Sequence, residues 1–340
     1  MLPQSKALPR EDNMLSRREG LGVALGLGIG GLPGLRAQAQ PQAPSTVKTP
    51  VKIEVPPNSC DCHVHVFPDP AKFPFFNGRI YTPPVATADD LLALQKSLGM
   101  DRVVIVTPSV YGTDNSATLD GIRQLGPKRA RGVAVIGAST TKADLDGMAE
   151  GGIRGIRVNL ETGGTKDPAV AKRTLDAAVN QIEGRSWHMQ IYAGLPMLSA
   201  LKSDLGSLPM PVVFDHFAGA EAAKGFDQPG FDSVVELVKT GKAYVKISGA
   251  YRAQLGGQPD YSLVAPFARA LVAANPDRIV WGTDWPHPDS YPIPTRKATD
   301  IAPAMAIDDG RLLNLLADWV PDAKTRAKIL VENPARLYAF

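Results

Sequence analysis

Five histidines occur in the 340-residue chain, and two of them, His63 and His65, stand two apart in the run 60–67. In a strand, residues i and i+2 share a face, so both imidazoles point the same way. Asp61 has their parity. Cys60, Cys62, Val64 and Val66 have the opposite one, which reads as a division between a polar interior and a helix-facing core. His216 ends the run Val212-Val213-Phe214-Asp215-His216, and Asp284 ends Ile279-Val280-Trp281-Gly282-Thr283-Asp284. Three imidazoles and a carboxylate brought together can move protons, polarise a carbonyl or hold one metal ion. A lone buried histidine is more often a satisfied core residue, but a same-face pair facing two more polar strand ends favours chemistry. His188 opens its own run and is expected at the opposite, structural end. His287, in Asp284-Trp285-Pro286-His287-Pro288, is a candidate for the pocket wall.

Those residues need a scaffold that brings strand ends together. Eight β-branched runs (60–67, 102–109, 130–136, 153–159, 188–193, 211–218, 243–252 and 279–285) alternate with stretches of helical spacing such as 87–98, 115–125, 142–150, 168–183 and 232–239. Strands alternating with helices imply parallel pairing. Eight such units predict a single-domain α/β fold over 59–340, a (β/α)8 TIM barrel of the usual size of roughly 250 residues. The rival open sheet of a dinucleotide fold is disfavoured, since no G-x-G-x-x-G turn follows the first run. In such a barrel, polar residues at the carboxyl ends of strands form the active site.

With 44% hydrophobic and 21% charged residues, the chain can bury a full core. Two cysteines, two positions apart, exclude a disulfide framework and a four-cysteine zinc site. The formal charge of +3 lies mostly in the first 39 residues, so the rest is nearly neutral. A body without a basic stripe argues against nucleic acid and leaves small-molecule chemistry. At the amino end, Arg17-Arg18 precedes a glycine-rich apolar stretch, 21–35, followed by Ala37-Gln38-Ala39. This pattern predicts a twin-arginine signal peptide over 1–39, cleaved near Ala39, and a periplasmic destination. The apolar stretch is shorter than the roughly 20 residues of a stable membrane span. The proline-rich stretch 40–58 reads as an extended linker outside the fold.

Five motifs in order carry a resemblance: Cys62-His63-Val64-His65-Val66-Phe67, Asp215-His216-Phe217-Ala218-Gly219, Lys246-Ile247-Ser248-Gly249-Ala250-Tyr251-Arg252, Gly282-Thr283-Asp284-Trp285-Pro286-His287-Pro288 and Glu332-Asn333-Pro334-Ala335-Arg336-Leu337-Tyr338. On these the chain resembles the amidohydrolase superfamily, in the branch that contains 2-pyrone-4,6-dicarboxylate hydrolase and sugar lactonases. The resemblance implies a hydrolase that opens a lactone or pyrone ring, with Asp284 as general base and His63, His65 and His216 polarising the carbonyl. Many superfamily members hold two metals through a strand-four lysine and a strand-five histidine, but here those places carry Arg157 and Tyr192. The resemblance therefore implies no cofactor, with a single zinc on His63, His65 and Asp284 as the alternative. Arg157 and Arg252, at strand ends, match a substrate carboxylate and predict a small anionic substrate. Tyr192, Ser109 and Tyr111 are further candidates for the pocket, and Arg154, of opposite parity to Arg157, is expected to be structural. Two other readings compete: a zinc-dependent decarboxylase, against which Tyr192 counts, and a non-catalytic periplasmic binding protein. No feature of the chain specifies an oligomeric state.

Overall fold

The computed structural model describes residues 47–162, 164–255, 260–291 and 293–340. The expected signal peptide, 1–39, and residues 40–46 of the expected linker lie outside the described residues. Eight strands, β1 (Cys60–Val64), β2 (Arg102–Val106), β3 (Ala130–Ala134), β4 (Ile153–Asn159), β5 (His188–Tyr192), β6 (Val212–Phe214), β7 (Ala243–Ser248) and β8 (Ile279–Gly282), pair in parallel in sequence order. Just beyond β8 the chain returns to β1: Asp284 N donates to His63 O (2.8 Å) and His65 N to Trp285 O (2.9 Å). Gly282 permits that approach, since a Cβ there would lie 2.7 Å from the His63 nitrogen. The result is a (β/α)8 barrel, as the alternating runs predict.

Helices Ala88–Leu98, Ser116–Leu125, Lys142–Glu150, Pro168–Gln181 and Phe231–Lys239 fall on the stretches of helical spacing. Two begin in reciprocal caps, Thr87 with Asp90 and Thr141 with Asp144, each satisfying backbone donors that a helix start leaves unpaired. Among the described residues no helix is long and apolar enough to cross a membrane.

The parity expected for β1 is half right. Cys60 and Cys62 do not face the helices; they pack in the barrel interior with Val104, Val106, Val133, Val213 and Val280 above Tyr338. Asp61 points outward, accepting from Thr283 N (3.0 Å) and Thr283 Oγ1 (2.7 Å). The β1–β2 register shifts between Asp61 and Val64, and this irregularity re-phases the strand, so that His63 and His65 also turn inward while Val64 joins the helix-facing core.

The described part of the expected linker is also corrected. Residues 47–55 alternate between half-buried and exposed, with Val47, Val51, Ile53 and Val55 laid on the core. Thr49 N donates to Asp308 Oδ1 (3.1 Å) and Lys52 N to Asn314 Oδ1 (2.7 Å). Its apolar residues at period two fasten this extended stretch to the barrel.

Candidate active site

The strand ends converge on Asp284. Its Oδ1 lies 3.7 Å from Nε2 of each of three imidazoles, His63, His65 and His216. Its Oδ2 accepts from Tyr251 Oη (2.5 Å) and Arg252 Nε (2.5 Å), both on the short helix Ala250–Ala253 that follows β7. One oxygen is therefore anchored and the other presented. Asp284 has φ 69°, and His216, Phe217 and Ala218 have φ 47°, 54° and 57°. Non-glycine residues in this left-handed region carry about 1–3 kcal/mol of strain each, a cost that gathers where a side chain must be aimed.

Beneath the histidines lies a second buried carboxylate, Asp215. Its Oδ1 is 3.2 Å from His63 Nδ1 and 3.6 Å from Lys246 Nζ. Its Oδ2 accepts from Arg157 Nε (3.0 Å) and Gln190 Nε2 (3.1 Å). Lys246, which alternates with the helix-facing Val245 and Ile247 of β7, also donates to Gln190 Oε1 (2.7 Å). Burial alone would raise the Asp215 carboxyl, but His63, Arg157 and Lys246 outweigh it and hold it well below the usual range. Asp284 is likewise held low: burial opposes, and Arg252 with the three imidazoles prevails. Burial lowers His65 and His216 to about 4 against the pull of Asp284, so both rings are neutral at pH 7.

The His65 tautomer is set by Val106, whose carbonyl accepts from Nδ1 (2.7 Å). The neutral ring then turns the lone pair of Nε2 toward the site. His65 so placed accepts a hydrogen or binds a cation, and donating to a carbonyl oxygen would require a second proton on the ring. His63 Nε2 and Asp284 Oδ1 are buried with no hydrogen-bond partner in the described structure. Three imidazole nitrogens and one carboxylate oxygen around such atoms are a donor set that fits a single divalent cation. His63, His65 and Asp284 have ligand atoms within 4.8 Å of one another, as do His63, Asp215 and His216.

Above the cluster opens a cavity of about 290 Å3, whose wall includes Tyr81, Ser109, Arg157, Tyr192, Arg252 and Tyr291. Ser109, Arg157, Arg252 and Tyr192 thus stand where the sequence places them, with Arg157 stacked on the Tyr192 ring at 5.0 Å. Tyr111 does not line this cavity. It borders an adjoining depression and packs against Phe75, ring centroids 5.3 Å apart. His287 is not in the wall either; it is fully buried, with Nε2 3.0 Å from Asp309 Oδ1. His188 lies deep in the barrel against Tyr338, ring centroids 5.1 Å apart, as a structural residue should. Sequence reasoning missed Asp215, Gln190, Lys246 and Tyr251 as site components. Lys246 carries a signal: a single cation inside the apolar strand Ala243–Ser248 can face only the interior.

Comparison with known proteins places the chain in a family. A family model described as Amidohydrolase matches residues 60–340. The chain is 35% identical over 292 residues to a 4-sulfomuconolactone hydrolase of Hydrogenophaga intermedia, covering 85% of this chain and 91% of that one. It is 34% identical over 303 residues to a 2-pyrone-4,6-dicarboxylate hydrolase of Comamonas testosteroni, covering 84% and 92%. Among solved structures, a probable 2-pyrone-4,6-dicarboxylic acid hydrolase of Acinetobacter baumannii with citric acid bound aligns with a TM-score of 0.68 at 26% identity, over 83% of this chain and 100% of that one. With the family match running from the first strand of the barrel to residue 340, and with histidines of β1 and of the β6 end gathered on the aspartate that follows β8, the chain belongs to the amidohydrolase family.

Proposed function

We propose that this protein hydrolyses the ring ester of a small lactone or pyrone that carries an anionic group. The observation that carries the reading is the pairing of a presented carboxylate oxygen, Asp284 Oδ1 among three imidazoles, with two guanidiniums, the buried Arg157 and the partly buried Arg252, in one 290 Å3 cavity. Relatives named for lactone and pyrone hydrolysis at 34–35% identity support it.

In this reading Asp284 Oδ1 takes a proton from water as the water oxygen bonds to the ring carbonyl carbon. The ring C–O bond then breaks, and Asp284 returns that proton to the departing ring oxygen, giving the open hydroxy acid. Its depressed pKa keeps Asp284 ionised and ready to accept. Arg252 holds Oδ2 through Nε, and Arg157 holds Asp215 in the same way, so each arginine both fixes an acid and presents its charged fork to the cavity. His63, His65, His216 and Asp284 would hold a divalent cation, which when bound would polarise the carbonyl and acidify water.

The test compares anionic lactones with their neutral methyl esters. We expect kcat/KM at least about 100-fold higher for the anionic series, the size of a charge-assisted contact in a dry site. No ring opening, or equal turnover of both series, refutes the reading. Metal analysis, with chelation and zinc re-addition, assigns the role of the cation in the same assay.

A further inference from the structure

His287 is drawn into the site indirectly. Asp309, the first residue of the helix Asp309–Trp319, places Oδ1 3.0 Å and Oδ2 3.2 Å from His287 Nε2. A carboxylate only accepts, so Nε2 carries the hydrogen and the ring tautomer is set. His287 Nδ1, which bears no hydrogen in that tautomer, lies 3.2 Å from Tyr251 Oη, and what couples the two side chains is the edge-to-face packing of their rings at 5.3 Å. Tyr251 Oη in turn donates to Asp284 Oδ2 at 2.5 Å. All four side chains are buried, with Tyr251 the most exposed at 4%.

We propose that Asp309, His287 and Tyr251 form a buried positioning relay that aims Asp284. Asp309 holds the imidazole, the imidazole fixes the phenol ring by edge-to-face packing, and the phenol hydrogen holds Oδ2, so that Oδ1 faces the three Nε2 atoms. Asp284 sits in left-handed backbone just past the end of β8, so its side chain is aimed by the groups that hold it. Arg252 supplies the only other hydrogen bond to Oδ2 in the described structure. Arg252 lines the cavity, and none of the three relay residues does. Its members are positioning residues, and a small rotation of Oδ1 is enough to slow the reaction by about 100-fold.

The inference rests on Asp284 acting as the base in ring hydrolysis, and the test separates the two. Wild type, Tyr251→Phe, Asp309→Asn and the double variant are assayed with an anionic lactone, with folding checked by circular dichroism. Tyr251→Phe should lower kcat roughly 10- to 100-fold with KM within about threefold, because the base is misaimed while the cavity wall is intact. Asp309→Asn should cost part of that, and the double variant should be no slower than Tyr251→Phe, because the relay reaches Asp284 only through the phenol. His287→Gln replaces Asp309→Asn in the cycle if the latter does not fold. Proton NMR supplies a readout independent of turnover: a slowly exchanging downfield imidazole N–H present in wild type and lost in Asp309→Asn. An Asp309→Asn loss of equal size in both tyrosine backgrounds, or a wild type without the protected N–H, overturns the relay. If wild type opens no lactone, the hydrolase reading falls and the NMR arm alone decides the relay.

Discussion

Removing the charge of Asp215 should destabilise the protein more than any polar substitution on the surface. Its carboxylate is fully buried and lies 3.0 Å from Arg157 Nε and 3.6 Å from Lys246 Nζ, which are buried as well. At such distances a charge pair is worth about 4 kcal/mol even at an effective dielectric of 20. Asp215→Asn keeps the shape and an acceptor for Gln190 but leaves two cations in the core without their counter-ion. The loss should be about 3–5 kcal/mol, the range found when one partner of a buried pair is removed. Adding Lys246→Met removes the stranded ammonium, so the double variant should be more stable than additivity requires, with a coupling of about 2 kcal/mol. The assay is urea unfolding of the four proteins by far-UV circular dichroism and tryptophan fluorescence, with coincident transitions required. A loss below about 1 kcal/mol in Asp215→Asn, or strict additivity in the double variant, would refute the claim that this acid is the counter-ion of the barrel interior.

Asp284→Asn keeps packing but cannot take a proton, so turnover should fall by two to four orders of magnitude while the hydroxy-acid product still binds; retained activity would end the role of Asp284 as base. Because His65 and His216 sit near 4 and Asp284 lower still, kcat/KM should be flat through neutrality and fall as pH drops through about 4, and an acid limb near 6.5 would contradict the buried, neutral rings. The same two rings bind protons in the unfolded chain from about 6.5 downward and in the folded one only near 4, so stability should fall as pH is lowered from about 6.5 to about 4, as measured by urea midpoints. Export is proposed from Arg17-Arg18 and Ala37-Gln38-Ala39: Arg17→Lys/Arg18→Lys should empty the periplasm of the protein, and amino-terminal sequencing should read Gln40. Periplasmic material that begins at Met1 would refute cleavage.

What the sequence by itself determined is what local pattern can encode. Period-two and helical spacing placed eight strands and the helices between them, because the side chains that must be buried repeat with the geometry of each element. Strand ends then named His63, His65, His216, Asp284, Arg157 and Arg252, because in a barrel the carboxyl ends share one rim. Tertiary structure decided the rest. The irregularity between Asp61 and Val64 reversed the faces of Asp61, Cys60 and Cys62, since one step of register exchanges the two sides of a strand and no local signal marks the step. Asp215 meets Lys246 and Asp309 meets His287 across 31 and 22 residues of chain, at separations that only closure of the barrel and docking of the last helices bring within reach. The work of His287 was hidden for the same reason: its neighbours in sequence line the site, and its partners in space lie behind it.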